Sequence, residues 1–260
     1  MKPLYPSNFK QIFILFFLPL LLATPFYAFL IKMELSNDQI NIICFLLWTS
    51  ILIGLFFFIS KRKKQSINYR FTLKGNPILA FLIIVVVSFE IGINIPLGKL
   101  IHTIFFSESH PGKGFSPFLI IGAVFFAPIL EEFIFRGIVL RGLLSRYSPL
   151  KAILITGILF GLIHLNPAQI PQAIVLGIFF SWVYYFTNNL AVCILLHAVS
   201  NVTSLGFLYL INNMSFSMWY IFSIIFFLLF VFIVKLLYDK VKRNELIYNN
   251  TERTKEIQVQ

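Results

Sequence analysis

The sequence predicts an all-α membrane protein, a bundle of about eight transmembrane helices with both termini in the cytoplasm. Three observations carry that prediction. The 260-residue chain is 58% apolar and 12% charged, with a mean hydropathy of +0.87, whereas a soluble domain carries roughly 25% charged residues. Its apolar residues fall into eight runs close to the ~20 residues that a helix needs to cross about 30 Å of hydrocarbon. Its cations alternate from one side of those runs to the other. Such apolarity excludes a disordered chain, and two cysteines are too few for a disulfide scaffold.

The first run, 11–31, follows Lys2 and Lys10 and continues through Ile31 without a small-residue cleavage site, so an uncleaved anchor is expected. The second, 40–60, runs into a basic stretch. The third, 77–97, carries Glu90, and the fourth, 117–138, carries adjacent glutamates. The fifth, 149–166, and the sixth, 170–186, are short. Pro167 and Pro171 lie at their junction, where a tight, partly buried reversal is expected. The seventh spans 190–211 and the eighth 217–237, and the polar tail after about 240 is expected to be loosely ordered. Cys44 and Cys193 fall inside runs and read as buried thiols. The chain divides into N-terminal helices (1–115, with a basic loop at 61–76), a core (116–211), and a last helix with its tail (212–260).

Most of the 21 cations lie on one side: before the first run, in the 61–74 loop, around Arg141 to Lys151, and from Lys235 onward. Lys32, Lys99 and Lys113 lie on the other side, and Arg136 lies within a span. Cations mark cytoplasmic loops, so both termini are placed inside, which requires an even number of spans. The net charge of +11 is therefore a topology signal, and the loop and tail also suit anionic headgroups. No recognition module accompanies the basic residues, so nucleic acid is not an expected partner.

An ionisable group at the centre of a span costs about 2.5–3.5 kcal/mol on insertion scales, which makes each one a functional candidate. Besides Glu90 these are Glu131, Glu132, Arg136, His164 and His197, the last accompanied by Asn201. His102 and His110 fall between the third and fourth runs and read as solvated loop residues. Glu132 and Arg136 are four apart, on one helical face and in reach of an ion pair. Glu131 is turned about 100° from Glu132, which separates two neighbouring carboxylates into different environments. Phe160 stands one turn before His164. His197 and Asn201 share a face and offer donors to a developing oxyanion. Each pattern alone also suits a structural role, as an ion pair or as interhelical hydrogen bonds. Together they supply what hydrolysis needs: a base, a site for water and oxyanion donors.

These residues resemble the motif set of the CPBP family of intramembrane proteases, also called the ABI or CAAX-protease-and-bacteriocin-processing family. Its pattern is Glu-Glu-x-x-x-Arg, Phe-x-x-x-His and His-x-x-x-Asn. Here these are Glu131-Glu132 to Arg136, Phe160 to His164, and His197 to Asn201, with Ala127-Pro128 ahead of the glutamates. The resemblance covers about 120–205. It implies an eight-helix endopeptidase of the bacterial plasma membrane, acting on a lipidated or hydrophobic peptide, with candidates from prenylated CAAX-like tails to bacteriocin precursors. By the same resemblance Glu131 activates water, aided by His164. His197 and Asn201 hold the oxyanion, Glu132 and Arg136 orient the site, and Phe160 packs beside it.

No cofactor is expected. Zinc on Glu131, His164 and His197 is the alternative, with an open position for water; it lacks a His-Glu-x-x-His helix and places Arg136 near a cation. Glu90 matches no family motif and reads as a buried partner of Arg136 or as a packing residue. The rival function is a non-catalytic immunity or regulatory scaffold of the same family. A proton-coupled transporter is more distant, because no inverted repeat is evident. One tension remains in depth: His197 lies about seven residues from its cytoplasmic span end and His164 about fifteen, which at 1.5 Å per residue differ.

Overall fold

Each apolar run is helical in the computed structural model, which describes residues 3–33, 35–65, 67–73, 78–105, 117–167, 169–211 and 216–242. His110, Lys113, part of the basic loop and the tail beyond residue 242 lie outside the described residues, and among those described there is no strand. Helix α1 (Phe9–Leu30) is capped by Asn8, whose Oδ1 accepts from the Gln11 N–H at 3.0 Å. Helix α2 (Asn37–Arg62) starts with a reciprocal Ser36–Gln39 capping box and ends on Lys61 and Arg62, charges that suit a helix C-terminus. Then follow α3 (79–105), α4 (Pro117–Leu144), α5 (Pro149–Leu162), α6 (Ile170–Thr187), α7 (Leu190–Ile211) and α8 (Phe216–Lys242).

Seven of these are long and apolar enough to cross a membrane. Helix α5 is not: its 14 residues rise about 21 Å at 1.5 Å each. The run expected to continue to residue 166 stops at Leu162. His164 and Leu165 follow in a turn, with N–H groups bonded three residues back and Leu165 left-handed at φ 54°. Pro167 explains the stop, because it biases the preceding Asn166 away from helical geometry. His164 therefore sits past the helix, on the reversal into α6. His102 belongs to the final turns of α3, where a loop was expected.

Helices α3 and α4 are not uniformly α-helical. Glu90–Asn94, Gly122–Phe126 and Phe133–Leu140 are π-helical. Widening the helix breaks the ordinary pairing of backbone groups, and each stretch offers one carbonyl to a side chain from elsewhere. The Asn94 carbonyl accepts from Gln172 Nε2 at 3.0 Å, that of Ala123 from Asn201 Nδ2 at 2.7 Å, and that of Gly137 from the Tyr69 hydroxyl at 3.2 Å. In a bilayer, polar backbone needs such partners.

The α5–α6 hairpin packs backbone to backbone. A Cβ at Gly157 would lie 2.6 Å from the Ile178 nitrogen, and one at Gly161 would lie 2.8 Å from that of Ile174. Gly157 and Gly161 form a small-xxx-small stripe against Ile170, Ile174, Gly177 and Ile178 of α6, the arrangement that lets membrane helices approach closely. One buried cluster joins Ile12 of α1 and Leu82 and Val86 of α3 to Leu140, Phe180 and Leu196 from the core. At the α2 C-terminal end of the bundle, segment 67–73 lies across α4 and the start of α7. The Arg70 carbonyl accepts from the Leu190 N–H at 3.0 Å, and Arg141 Nη1 donates to the Asn68 carbonyl at 2.9 Å. Large apolar side chains of α1 and α8, among them Phe13, Phe17, Leu228 and Phe232, are exposed, which suits hydrocarbon. The chain is an integral multi-pass membrane protein.

Candidate active site

Four elements converge around Glu132. The π-helical stretch of α4 begins directly after it and carries Arg136 one turn on, so the i,i+4 pair expected from spacing forms: Arg136 Nη1 donates to Glu132 Oε1 at 2.8 Å, with both side chains fully buried. The other end of the guanidinium is held by α6, where Nη2 donates to the Gly177 carbonyl at 2.9 Å. Its faces meet the rings of Phe160 at 4.8 Å and Phe180 at 5.5 Å. A cation this deep is tolerated because its charge is paired, Nη1 and Nη2 both have acceptors and both faces are covered by rings, which leaves Nε as its one buried donor without a partner among the described residues.

Helix α7 supplies His197, which is 6% exposed. Its Nδ1 lies 2.8 Å from the same Glu132 Oε1, so the carboxylate accepts from imidazole and guanidinium together. The opposite nitrogen, Nε2, faces Glu131 Oε2 at 3.9 Å. That is too long for a hydrogen bond, and Glu131 Oε2 makes none with any described residue. The two glutamates thus differ as their 100° separation predicts: Glu132 has no exposed side chain, while Glu131 keeps 17% of its own accessible. Glu131 lies within Coulombic range of His197, His164, Glu132 and Arg136.

The remaining residues border this centre. His164 Nδ1 lies 2.9 Å from the Phe160 carbonyl. A carbonyl only accepts, so Nδ1 carries the proton and Nε2 is left as the ring's acceptor. The Phe160 ring meets both imidazoles edge-on, that of His164 at 5.2 Å and that of His197 at 5.7 Å. Asn201, half-buried one turn beyond His197, spends one amide proton on the Ala123 carbonyl, which leaves a second donor.

The seven residues of the motif set therefore fall in one region of the bundle, Asn201 through its place one turn beyond His197. One correction accompanies that result. Glu90 is not a partner of Arg136; its carboxylate meets Asn94, Ser200 and Ser204 instead. Zinc does not fit: Glu131, His164 and His197 do not gather as a ligand set, and among the described residues no three His, Cys, Asp or Glu side chains do. Sequence reasoning also missed Gly177, Phe180 and Ala123, two of which act through backbone carbonyls. The spacing of Ala173, Gly177 and Ser181 was the available signal for a close α6 face.

Residues 113–203, the segment that builds this site, match the family described as type II CAAX prenyl endopeptidase Rce1-like. The chain is also 32% identical over 85 residues to the Bacillus subtilis (strain 168) protein named "Putative membrane peptidase YdiL". That alignment covers 33% of this chain and spans about a third, 35%, of the relative. No solved structure matches the chain. The segment that holds Glu131, Glu132, Arg136, Phe160, His164, His197 and Asn201 is thus similar to that of type II CAAX prenyl endopeptidases of the Rce1-like family, as the motif resemblance implied.

Proposed function

We propose that this protein is an intramembrane endopeptidase that hydrolyses a peptide bond in a lipidated or hydrophobic substrate, using water activated by Glu131. The observation that carries this reading is the arrangement about His197, with Nδ1 on Glu132 and Nε2 facing, across 3.9 Å, the buried and unpartnered Oε2 of Glu131, whose side chain is 17% exposed. A gap of that length between two polar groups is one that water bridges. Glu132 stands to His197 as the aspartate stands to the histidine of a hydrolytic triad, fixing the ring and supporting its protonated form.

In the forward step the water oxygen bonds to the scissile carbonyl carbon and gives its proton to Glu131. His197, carrying a proton on Nε2, and the second Asn201 amide proton face the developing oxyanion. Collapse of the intermediate breaks the C–N bond. Glu131 returns its proton to the leaving nitrogen, so the products are a carboxyl and an amine and the enzyme is regenerated. His164, held through Nδ1, offers Nε2 to the water or to the Glu131 carboxyl. Arg136 keeps Glu132 in place and touches no reacting atom. The orientation with both termini cytoplasmic belongs to the same proposal: it rests on the cation distribution and requires the short α5 to serve as the eighth crossing beside seven full-length spans.

The test is processing by Glu131→Ala in the full-length protein. Membrane proteomics of wild-type and variant cells should show uncleaved precursors accumulating in the variant, and purified variant should not cleave a fluorogenic farnesylated CAAX peptide. Wild-type processing by Glu131→Ala would overturn the proposal. Rescue of a deletion phenotype by Glu131→Gln and by His164→Ala would point to the scaffold reading.

A further inference from the structure

Glu90 is an expensive residue that the mechanism above does not use. It is fully buried in mid-bundle, on the π-helical turn of α3. Its Oε2 accepts from Asn94 Nδ2 at 2.6 Å and from the Ser204 hydroxyl at 2.7 Å, and its Oε1 accepts from the Ser200 hydroxyl. Two of the three donors therefore come from α7, the helix that carries His197 and Asn201. The third, Asn94, belongs to the same turn as Glu90, and its carbonyl accepts from Gln172 on α6. Gly98 makes room for that glutamine, because a Cβ there would lie 2.3 Å from Gln172 Nε2.

The positions on α7 carry the argument. At about 100° per residue, Ser200 and Ser204 lie roughly 60° and 20° to one side of His197, and Asn201 lies roughly 40° to the other. A carboxylate that grips both serines fixes the rotation of α7 about its own axis. A turn of about 10° would move a side-chain tip some 5–6 Å from that axis by about 1 Å. That is enough to break the 2.8 Å contact between His197 and Glu132 or the 2.7 Å contact between Asn201 and Ala123. Packing alone would be served by a neutral side chain, without the cost of burying a carboxyl.

We infer that Glu90 is a positioning residue for hydrolysis: through Ser200 and Ser204 it sets the rotation of α7, and hence the aim of His197 and Asn201. This rests on the proposed endopeptidase reading. A glutamine still accepts from one serine, and the other hydroxyl can turn to accept from its amide, whereas a leucine meets neither.

The experiment compares Glu90→Leu, Glu90→Gln and the double variant Ser200→Ala, Ser204→Ala in full-length protein. One readout is kcat and KM on a fluorogenic farnesylated CAAX peptide. The other is the set of imidazole resonances in histidine-labelled protein, with His197 assigned by its loss in His197→Gln. Glu90→Leu and the double serine variant should lower kcat roughly 10- to 100-fold, as an ångström-scale displacement does. KM should stay within about 2-fold, because the substrate-contacting groups are unchanged. The His197 resonances should move, and Glu90→Gln should stay near wild type. If Glu90→Leu does not fold, the double serine variant carries the test. Unchanged kcat in the folded variants, or a lowered kcat with His197 resonances unmoved, would overturn the inference. Peptide cleavage by Glu131→Ala would instead overturn the hydrolytic reading, while the His197 resonances still report on Glu90.

Discussion

Arg136 and Glu132 should be coupled far beyond what separate side chains show, and a double-mutant cycle measures it. The guanidinium makes hydrogen bonds of 2.8 Å to Glu132 and 2.9 Å to the Gly177 carbonyl, with no exposure to soften their loss. Arg136→Met strands the Glu132 carboxylate with His197 alone, and breaking a buried pair in this way costs about 3–5 kcal/mol. The Gly177 carbonyl is not orphaned, because Ser181 Oγ also donates to it at 2.7 Å. Glu132→Gln keeps an acceptor for Arg136 but loses the charge, a difference of about 1.5–3 kcal/mol for a charged hydrogen bond. Combining the two removes both charges and leaves a neutral pair, so the double variant should be no less stable than Arg136→Met alone. The coupling energy is then at least the Glu132→Gln loss, about 1.5–3 kcal/mol. Unfolding of the four proteins by SDS titration in mixed micelles gives the cycle. The double variant should stay inactive, because it does not restore the hold on His197. Additive losses, within the ~0.5 kcal/mol expected of independent sites, would refute the placement of these charges against each other.

Gly161→Ala places a Cβ 2.8 Å from the Ile174 nitrogen, and forcing the α5–α6 hairpin apart should cost about 1–3 kcal/mol in the same titration. Tyr69, in the segment between α2 and α3, has its phenol pushed up to about 12 by burial, against an opposing effect of Arg141. Because the folded value is the raised one, its support for docking on Gly137 is complete below pH 10.0 and is lost as pH rises through about 12. Absorbance at 295 nm should show that late tyrosinate step in wild type and its absence in Tyr69→Phe. Peptide cleavage should survive EDTA and 1,10-phenanthroline, since Glu131, His164 and His197 do not gather as ligands; inhibition reversed by added zinc would contradict that.

The contacts that could be read from sequence share one property: they lie within a single helical turn. Glu132 with Arg136, Phe160 with His164, and His197 beside Asn201 need only the four-residue spacing. Their ionisable members stand out because the background is so apolar. Contacts between helices were not readable in that way. Nothing local says that His197 meets Glu132, 65 residues away, or that Glu90 meets two serines in place of Arg136. The Gly157–Gly161 stripe was in plain view, yet glycine within an apolar run barely changes hydropathy, and its meaning depends on the α6 face opposite. The end of α5 needed the restriction that Pro167 places on Asn166.

The π-helical stretches are the deepest omission, and they explain why the site could be listed before it could be assembled. An extra residue in a turn shifts the facing of everything beyond it by about 100° without altering composition. Each stretch then gives a backbone carbonyl to a side chain from another element: Gln172 to Asn94, Asn201 to Ala123, and Tyr69 to Gly137. Two of those bonds lie on the polar network itself, one at the oxyanion candidate Asn201 and one at the turn carrying Glu90. The side chains proposed to perform chemistry are thus written in the sequence as residue types, while their aim is set by backbone groups that every residue carries. A one-residue deletion inside Gly122–Phe126 would therefore be more damaging than a conservative substitution at the same place, because it would restore α-helical pairing, withdraw the Ala123 carbonyl from Asn201 and turn the face of α4 that precedes Glu131.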